Sequence, residues 1–339
     1  MNFFRLFLFP FAILYSTLTS FRNFLFYIKI FRSVGYENPT LGIGNLSVGG
    51  TGKSVCVDYV VSFLKQNHSI TILSRGYGRT SKGFLEVSDK STAVDVGDEP
   101  LMLRLKHPEV RVAVAESRRL GMSLLLKDSK KNEVFVWDDC FQHRWVIPRL
   151  MIILTSYKRL FVDDLHLPVG NLRELSSGKK RADVVIVTKC PKNMSVDERK
   201  KVTQKLGLSK TQYLFFSQIK YSDHIKSVDR SFPVSNLVKL PFLLVTGISD
   251  PTPLKNYLER IGCKFEHLKF SDHHNFTQKD AKKINNKSNN RMILTTEKDF
   301  VRLNPILSSD VLFYLQIEME LFDEDKELFD KLLETTVAM

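Results

Sequence analysis

The run from Leu41 to Ser54 constrains this chain most, because it joins an apolar strand, a glycine-dense turn and the start of a helix. Its sequence is L-G-I-G-N-L-S-V-G-G-T-G-K-S. Glycines in such a turn let successive backbone N–H groups face one concavity, and the helix N-terminus adds partial positive charge. The run therefore predicts a site for the phosphates of a nucleotide.

The loop matches the strict pattern G-x-x-x-x-G-K-[ST] only in part, because that pattern needs glycine where the chain has Ser47. The prediction therefore rests on the second half of the loop, G-G-T-G-K-S. We expect Lys53 to reach the β- and γ-phosphates and the Ser54 hydroxyl to ligate Mg²⁺. A glycine-rich turn that binds nothing is the plainer alternative. The predicted nucleotide-binding residues are Gly49, Gly50, Thr51, Gly52, Lys53 and Ser54.

Short apolar runs alternate with helical stretches over the first two thirds of the chain. This order is typical of an α/β fold with a doubly wound parallel sheet, and the loop above makes it P-loop NTPase-like. The predicted strands are Thr40–Asn45, Ile70–Ser74, Arg111–Ala115, Glu133–Asp138, Leu150–Leu154 and Asp183–Thr188. The clearest predicted helices are Lys53–Gln66, Glu99–Leu105 and Glu116–Lys127.

After a polar stretch at residues 221–240 the α/β pattern restarts with P-F-L-L-V-T-G-I. We therefore predict an N-terminal membrane-anchoring helix at 1–32, a P-loop domain at 33–225 and a smaller C-terminal α/β domain at 226–339. A cleft between two α/β lobes suits an enzyme that closes over two substrates.

The N-terminal segment between Arg5 and Arg22 is uncharged and rich in Phe and Leu. As a helix it measures roughly 24 Å, less than the ~30 Å hydrocarbon core of a bilayer. We interpret it as a peripheral or monotopic anchor whose basic flanks face lipid phosphates. A signal peptide, or a helix buried on the protein's own core, remains as an alternative.

The overall charge is +13, which favours polyanionic partners such as an anionic membrane surface, nucleic acid or phosphorylated substrates. Nucleic acid is disfavoured because the basic residues are dispersed and not interleaved with aromatic ones. The four cysteines are widely scattered, which fits a reducing cytoplasmic setting.

An acidic pair, Asp138 and Asp139, ends the apolar run E-V-F-V-W-D-D. A carboxylate at the end of a strand near a phosphate loop is expected to hold Mg²⁺, directly or through water. A solvated turn is the alternative for this pair taken alone.

Seven motifs in order resemble those of the lipid A 4'-kinases, the tetraacyldisaccharide 4'-kinase family. After the phosphate loop come S-R-G-Y-G-R (74–79), V-G-D-E-P (96–100), D-D-C-F-Q-H-R (138–144) and L-P-V-G-N-L-R-E (167–174). F-S-D-H-H-N-F (270–276) and T-E-K-D (296–299) follow. The resemblance implies an ATP- and Mg²⁺-dependent kinase at the cytoplasmic face of the bacterial inner membrane. Its acceptor would be the 4'-hydroxyl of a tetraacylated glucosamine disaccharide 1-phosphate, a lipid A precursor.

The resemblance also implies roles for residues outside the loop. Asp98 is expected to be the general base and His273 its partner from the second lobe, so that lobe closure completes the site. We expect His273 to raise the proton affinity of Asp98, and Glu99 to be a further metal ligand by proximity. The predicted substrate-binding residues are Arg75, Arg79, His143 and Arg173.

Three plainer interpretations stay open for these residues: Asp98 as a helix N-terminal residue, His143 as an ordinary hydrogen-bonding histidine, and Arg173 as a surface ion pair with Glu174. For the whole chain, the main rival is a membrane-associated P-loop ATPase switch without a phosphorylated lipid product. That class carries a lysine directly before the Gly-Gly pair, where this chain has Val48. A monomer is expected.

Overall fold

The computed structural model describes residues 7–338, which form an α/β fold around one mixed sheet. The strands are β1 (Thr40–Asn45), β2 (Ile70–Ser74), β3 (Leu85–Glu86), β4 (Arg111–Val114), β5 (Val134–Trp137), β6 (Leu150–Ser156), β7 (Val184–Thr188), β8 (Tyr213–Lys226), β9 (Ser231–Pro233), β10 (Phe242–Thr246), β11 (Phe265–Lys269), β12 (Ile293–Thr296) and β13 (Leu312–Leu321). The helices are α1 (Phe9–Tyr27), α2 (Lys53–Leu64), α3 (Ala93–Val96), α4 (Asp98–Lys106), α5 (Arg118–Leu125), α6 (Val196–Leu206), α7 (Thr252–Arg260), α8 (Gln278–Ser288), α9 (Glu297–Leu303) and α10 (Asp323–Ala338).

The sheet runs in the order β11-β10-β12-β13-β8-β7-β6-β1-β5-β2-β4-β3, with β9 beside β8. Most neighbours are parallel, but β8–β13, β8–β9 and β3–β4 are antiparallel. The sheet is therefore mixed and not purely parallel as the sequence suggested. The six strands and three helices predicted for the first part of the chain all form, with ends within two residues of the expected ones.

Both faces of the sheet are covered by helices, as the apolar strands predict. In β5, Val136 packs into the core beneath α2, whereas Phe135 and Trp137 face α5 on the other side. In β10, Leu244 packs towards α7 and Leu243 towards α8. Because alternate strand residues point to opposite faces, each strand serves two cores.

The long strand β8 joins the two halves of the sheet. Its residues 213–216 pair in parallel with β7, and residues 217–226 pair antiparallel with β13. The sequence assigned residues 221–240 to a polar connection, so the second half of this strand was missed. Hydrogen bonding consequently runs through both halves without a break.

The last helix, α10, returns to the first half of the molecule. Phe329, Leu333 and Val337 are buried in the same core as Val57 of α2. The Tyr59 hydroxyl also donates to the Asp330 carboxylate at 2.7 Å. Although α10 lies within residues 226–339, it packs against α2 and β8, which begin within residues 33–225.

The N-terminal helix α1 starts at Phe9, and residues 1–6, including the flanking Arg5, lie outside the described residues. Its buried residues are Ala12 and Phe26, so most of its apolar side chains are exposed and are not covered by the protein's own core. Within the described chain, no helix combines the length and apolar character needed to cross a bilayer.

We predict that Phe329→Ala lowers the free energy of unfolding by about 3–5 kcal/mol, because the ring is fully buried and its loss leaves a cavity. The matched control is Leu328→Ala in the same helix, where 49% of the side chain is exposed and the change should be within about 0.5 kcal/mol. Urea unfolding of both variants measures the difference. Equal effects would show that α10 does not stabilise the core as its packing indicates.

Candidate functional site

The glycine-rich loop, residues 46–52, connects β1 to α2 at the carboxyl end of the sheet. Gly49 and Gly52 have φ of +101° and +94°, a backbone conformation that disfavours other residues. Gly52 lies directly before α2, whose first amide groups have no partners within the helix. The loop and helix thus present several N–H donors at one end of the central strand.

Neighbouring segments hold this loop in place. The Val48 amide donates to the Asn171 carbonyl at 2.8 Å, which ties the loop to the motif at 167–174. On the other side the Thr188 hydroxyl donates to the Thr51 carbonyl at 2.7 Å. The Lys189 ammonium donates to the Gly50 carbonyl at 2.5 Å. The sequence did not indicate this contribution of Lys189.

The two aspartates after β5 have different surroundings. Asp138 is buried; its Oδ2 accepts a hydrogen bond from the Ser74 hydroxyl at 2.8 Å, and its Oδ1 has no partner among the described residues. Burial, together with the charge of Glu99, raises the pKa of Asp138 to about 6. The positive charge of Lys53 acts in the opposite direction but does not outweigh these two effects.

Asp139 is instead surrounded by cations. Its carboxylate lies 3.6 Å from the Lys53 ammonium and accepts two bonds from Arg173 Nη1, at 2.9 and 3.1 Å. Burial would raise the pKa of Asp139, but the positive charges of Lys53 and Arg173 outweigh it and hold the pKa below its usual value. Arg173 therefore pairs with Asp139 and not with Glu174.

Asp98 and His273 meet across the two halves of the molecule. Asp98 is the first residue of α4, and its Oδ2 lies 3.1 Å from His273 Nδ1 in the loop after β11. The pair is already formed in this structure, whereas the sequence suggested that lobe closure would be needed. The ring of Tyr77 lies edge-on to His273, with centroids 5.4 Å apart.

Lys298 completes this cluster and was not singled out from the sequence, although it lies in the motif T-E-K-D. Its ammonium is 3.1 Å from His273 Nε2 and donates to Glu99 Oε1 at 2.9 Å. Because an ammonium group can only donate, Nε2 must accept, which assigns the proton to Nδ1. The imidazole N–H therefore points at Asp98.

The expectation that His273 raises the proton affinity of Asp98 is wrong in direction. Burial does act to raise the pKa of Asp98, but the hydrogen bond from His273 and the positive charge of Lys298 outweigh it. The pKa of Asp98 consequently lies below its usual value.

The remaining predicted substrate residues differ in availability. Arg79 is engaged: its guanidinium donates to the Glu116 carboxylate and to the Gly83 carbonyl, both at 2.6 Å. Arg75 is exposed and makes no ion pair within residues 7–338. Burial and the charge of Arg118 lower the pKa of His143 to about 3, so its ring is neutral.

Helix α1 contacts this site directly. The Tyr15 hydroxyl donates to the Arg173 carbonyl at 2.9 Å, and the Asn23 amide donates to the buried Glu174 carboxylate at 3.0 Å. Arg144 Nη1 donates to the Asn23 carbonyl at 2.7 Å. The exposed apolar face of α1 and the polar site are therefore parts of one surface.

No group of three or more His, Cys, Asp or Glu side chains arranged to hold a metal ion occurs in the described part of the chain. Of the predicted metal ligands, Glu99 is paired with Lys298, and Asp139 with Lys53 and Arg173. Asp138 keeps one oxygen that no group of residues 7–338 contacts through a hydrogen bond, and Ser54 lies in the first turn of α2. These two residues are the ones with donor atoms available to a hard cation.

The chain is similar to proteins of one family over almost its whole length. The family model described as tetraacyldisaccharide-1-P 4'-kinase (LpxK) matches residues 4–337. The tetraacyldisaccharide 4'-kinase of Flavobacterium johnsoniae is 44% identical, with 94% of this chain and 93% of that protein covered. The enzyme of the same name from Bacteroides thetaiotaomicron is 39% identical, with 96% and 91% covered.

A solved structure has the same fold. The crystal structure of LpxK from Aquifex aeolicus in complex with ATP matches with a TM-score of 0.79 and 30% sequence identity. The match covers 98% of this chain and 99% of that one.

Proposed function

Because the chain belongs to the tetraacyldisaccharide-1-P 4'-kinase family, we propose that it transfers the γ-phosphate of ATP to the 4'-hydroxyl of a tetraacylated glucosamine disaccharide 1-phosphate. This reaction is a step of lipid A biosynthesis. The supporting observation is the contact between Asp98 and His273, which brings two motif residues 175 positions apart to 3.1 Å. A membrane-associated ATPase switch gives no reason for this pair, so the kinase is favoured.

ATP binds at the glycine-rich loop in this proposal. The amides at the start of α2 donate to the phosphate oxygens, and the helix N-terminus favours their negative charge. Lys53, now 3.6 Å from Asp139, is near enough to exchange that carboxylate for the β- and γ-phosphates. Gly49 and Gly52 allow the backbone to approach the phosphates closely.

The residues present fit a Mg²⁺ ion. Asp138 offers a buried carboxylate oxygen without a partner, and kinase sites commonly hold Mg²⁺ through one or two carboxylates plus the substrate phosphates. Asp138 and the Ser54 hydroxyl would hold it, whereas Asp139 and Glu99 would become further oxygen ligands only after giving up their ion pairs with Lys53, Arg173 and Lys298. When bound, the ion neutralises charge that develops on the phosphates.

Asp98 receives the proton of the 4'-hydroxyl in this mechanism. Its low pKa keeps it ionised, so it accepts a hydrogen bond from the hydroxyl and orients that oxygen towards the γ-phosphorus. The transition state of phosphoryl transfer is loose in most analyses, so a positioned weak base suffices. The Nδ1 proton of His273 fixes the orientation of the carboxylate.

We predict that Asp98→Asn lowers kcat by a factor of about 10²–10⁴, because the amide cannot accept the proton. ATP binding, measured separately by calorimetry, should be nearly unchanged, since the nucleotide contacts lie at the glycine-rich loop. Asp197→Asn, an exposed aspartate in α6, is the matched control and should keep full activity. Near-normal turnover of Asp98→Asn would contradict its role as base.

Helix α1 is proposed to lie in the membrane interface at the cytoplasmic face of the inner membrane. Phe11, Leu14, Leu18 and Phe21 follow helical spacing and are each exposed over more than half of their surface. Tyr15 and Asn23 of the same helix make the contacts with the site. An acceptor with acyl chains in the bilayer would thus reach Arg173 without leaving the membrane.

We predict that the double variant Leu14→Glu/Leu18→Glu binds vesicles at least about tenfold more weakly than the wild type, since burying an exposed leucine contributes roughly 1.5–3 kcal/mol. Sedimentation with vesicles of phosphatidylethanolamine and phosphatidylglycerol measures the binding. The control is Val196→Glu/Leu240→Glu, which adds the same charges at exposed apolar residues elsewhere. Equal loss in both variants would remove the assignment of α1 as the anchor.

A further inference from the structure

A second cluster of charged side chains lies at the end of α4 opposite to Asp98. Asp58 of α2 is buried, and its carboxylate oxygens lie 2.8 Å from the Lys106 ammonium and 2.8 Å from His107 Nε2. His107 is also buried and directly follows α4. Asp58, Lys106 and His107 were not singled out from the sequence, and the mechanism above does not use them.

The imidazole of His107 donates its proton to Asp58. The Lys65 ammonium lies 3.0 Å from His107 Nδ1. Because an ammonium group can only donate, Nδ1 accepts, and the ring carries its proton on Nε2. Burial would raise the pKa of Asp58, but the hydrogen bond from His107 and the positive charge of Lys106 outweigh it and hold the pKa below its usual value. Asp58 is therefore an ionised carboxylate with two hydrogen-bond donors.

Lys106 extends this cluster to a third helix. Its ammonium also donates to Glu297 Oε2 at 3.4 Å, and Glu297 Oε1 accepts a hydrogen bond from Gln316 at 2.7 Å. Burial raises the pKa of Glu297, and the positive charge of Lys106 acts in the opposite direction. Glu297 is the first residue of α9, so one ammonium group connects α2, α4 and α9. We call this cluster the helix junction, and it consists of Asp58, Lys106, His107 and Glu297.

Each helix of the junction carries a residue of the transfer site in its first turn. Helix α2 begins with Lys53, α4 begins with Asp98, and Lys298 is the second residue of α9. At a rise of 1.5 Å per residue, Asp58 lies about 7.5 Å along α2 from Lys53, and Lys106 lies about 12 Å along α4 from Asp98. At these distances Asp58 and Lys106 affect the reaction through their helices and not by contact with the reacting groups.

The chemistry of the junction restricts the spacing of these helices more than it stabilises the fold. Buried ion pairs are often no more stabilising than well-packed apolar residues of the same volume. Their hydrogen bonds, however, form only when donor and acceptor are within a few tenths of an ångström of the ideal distance. The pair of Asp58 and Lys106 therefore restricts sliding of α2 against α4, which apolar contacts alone restrict less.

We propose that the helix junction sets the distance between the nucleotide loop and the base Asp98. This inference rests on the proposed kinase function, and it adds Asp58, Lys106 and Glu297 to that function as positioning residues. Helix α2 follows the loop that holds the phosphates, and α4 carries the base, so the relative position of the two helices decides how hydroxyl and γ-phosphorus are aligned. A displacement of about 1 Å can lower the rate of such a reaction about 10²-fold.

The test uses a variant with a neutral junction, Asp58→Asn/Lys106→Met/Glu297→Gln. Its new amides can still accept the hydrogen bonds from His107 and Gln316, so no buried charge is left unpaired and the variant should fold. In detergent micelles with ATP and the tetraacyl disaccharide 1-phosphate, kcat should fall at least about tenfold. The Kd for ATP, measured by calorimetry, should change at most about twofold, because the glycine-rich loop is intact. Lys106→Arg keeps a cation between the two carboxylates and should retain most of kcat.

The matched control neutralises a different ion pair, in the variant Arg199→Met/Asp325→Asn. Arg199 donates to the buried Asp325 and joins α6 to α10, and neither helix carries a residue assigned to the transfer site. This variant should keep kcat within about twofold of the wild type, and urea unfolding verifies that both variants are folded in the assay. An unchanged kcat in the neutral junction would overturn the positioning role, as would an equal loss in the control. A wild type that transfers no phosphate to the acceptor would instead refute the proposed kinase function.

Combining the neutral junction with Asp98→Asn separates positioning of the base from a general loss of order. Without the base there is nothing left for the junction to position, so the neutral junction should lower the remaining kcat at most about twofold. A loss as large as in the wild-type background would show that the junction does not act through Asp98.

Glu297→Gln alone is the second variant, and it decides the question if the neutral junction does not fold. It keeps the pair of Asp58 and Lys106 and the hydrogen bond from Gln316, and it removes the charge that ties Lys106 to α9. Its kcat should fall about threefold at an unchanged urea midpoint. Wild-type kcat in this variant would overturn the role of the junction.

Discussion

The pairing of β13 with the second half of β8 determines how the two halves of the molecule meet. Because β8 also pairs with β7, the backbone hydrogen bonds continue from one half into the other. The contact between Asp98 and His273 depends on this continuity, since each residue comes from a different half and a hydrogen bond tolerates only a few tenths of an ångström. The return of α10 to the first core restricts relative motion further.

Secondary-structure elements were predictable where their own residues identify them. The segment from β1 through the glycine-rich loop to α2 was expected from its apolar strand, its glycines and its helix start, and it forms as predicted. The second half of β8 was not expected, because its residues are largely polar and its partner β13 lies about ninety positions later in the chain. When a strand is stabilised mainly by such a distant partner, its own residues give little indication that it is a strand.

The site was only partly predictable for a similar reason. The order of the motifs pointed to Asp98, His273 and the aspartate pair, but motif order does not reveal which charges surround them. Lys298 lies within the motif T-E-K-D, but its contacts with His273 and Glu99 depend on how α9 packs against α4, which the motif does not reveal. The hydrogen bond from His273, and then the positive charge of Lys298, explain why the pKa of Asp98 is lowered, where the sequence alone suggested the opposite.

Several cations of the site are already paired with carboxylates, and this pairing affects how anions bind there. Lys53 and Arg173 share the carboxylate of Asp139, and Lys298 pairs with Glu99, so these cations already have carboxylate partners. A phosphate that replaces a carboxylate beside such a cation exchanges one anion for another, and the cation does not have to lose its hydration anew. Exchange of one anion for another at Lys53 and Arg173 would therefore let the nucleotide phosphates bind without leaving either cation unpaired.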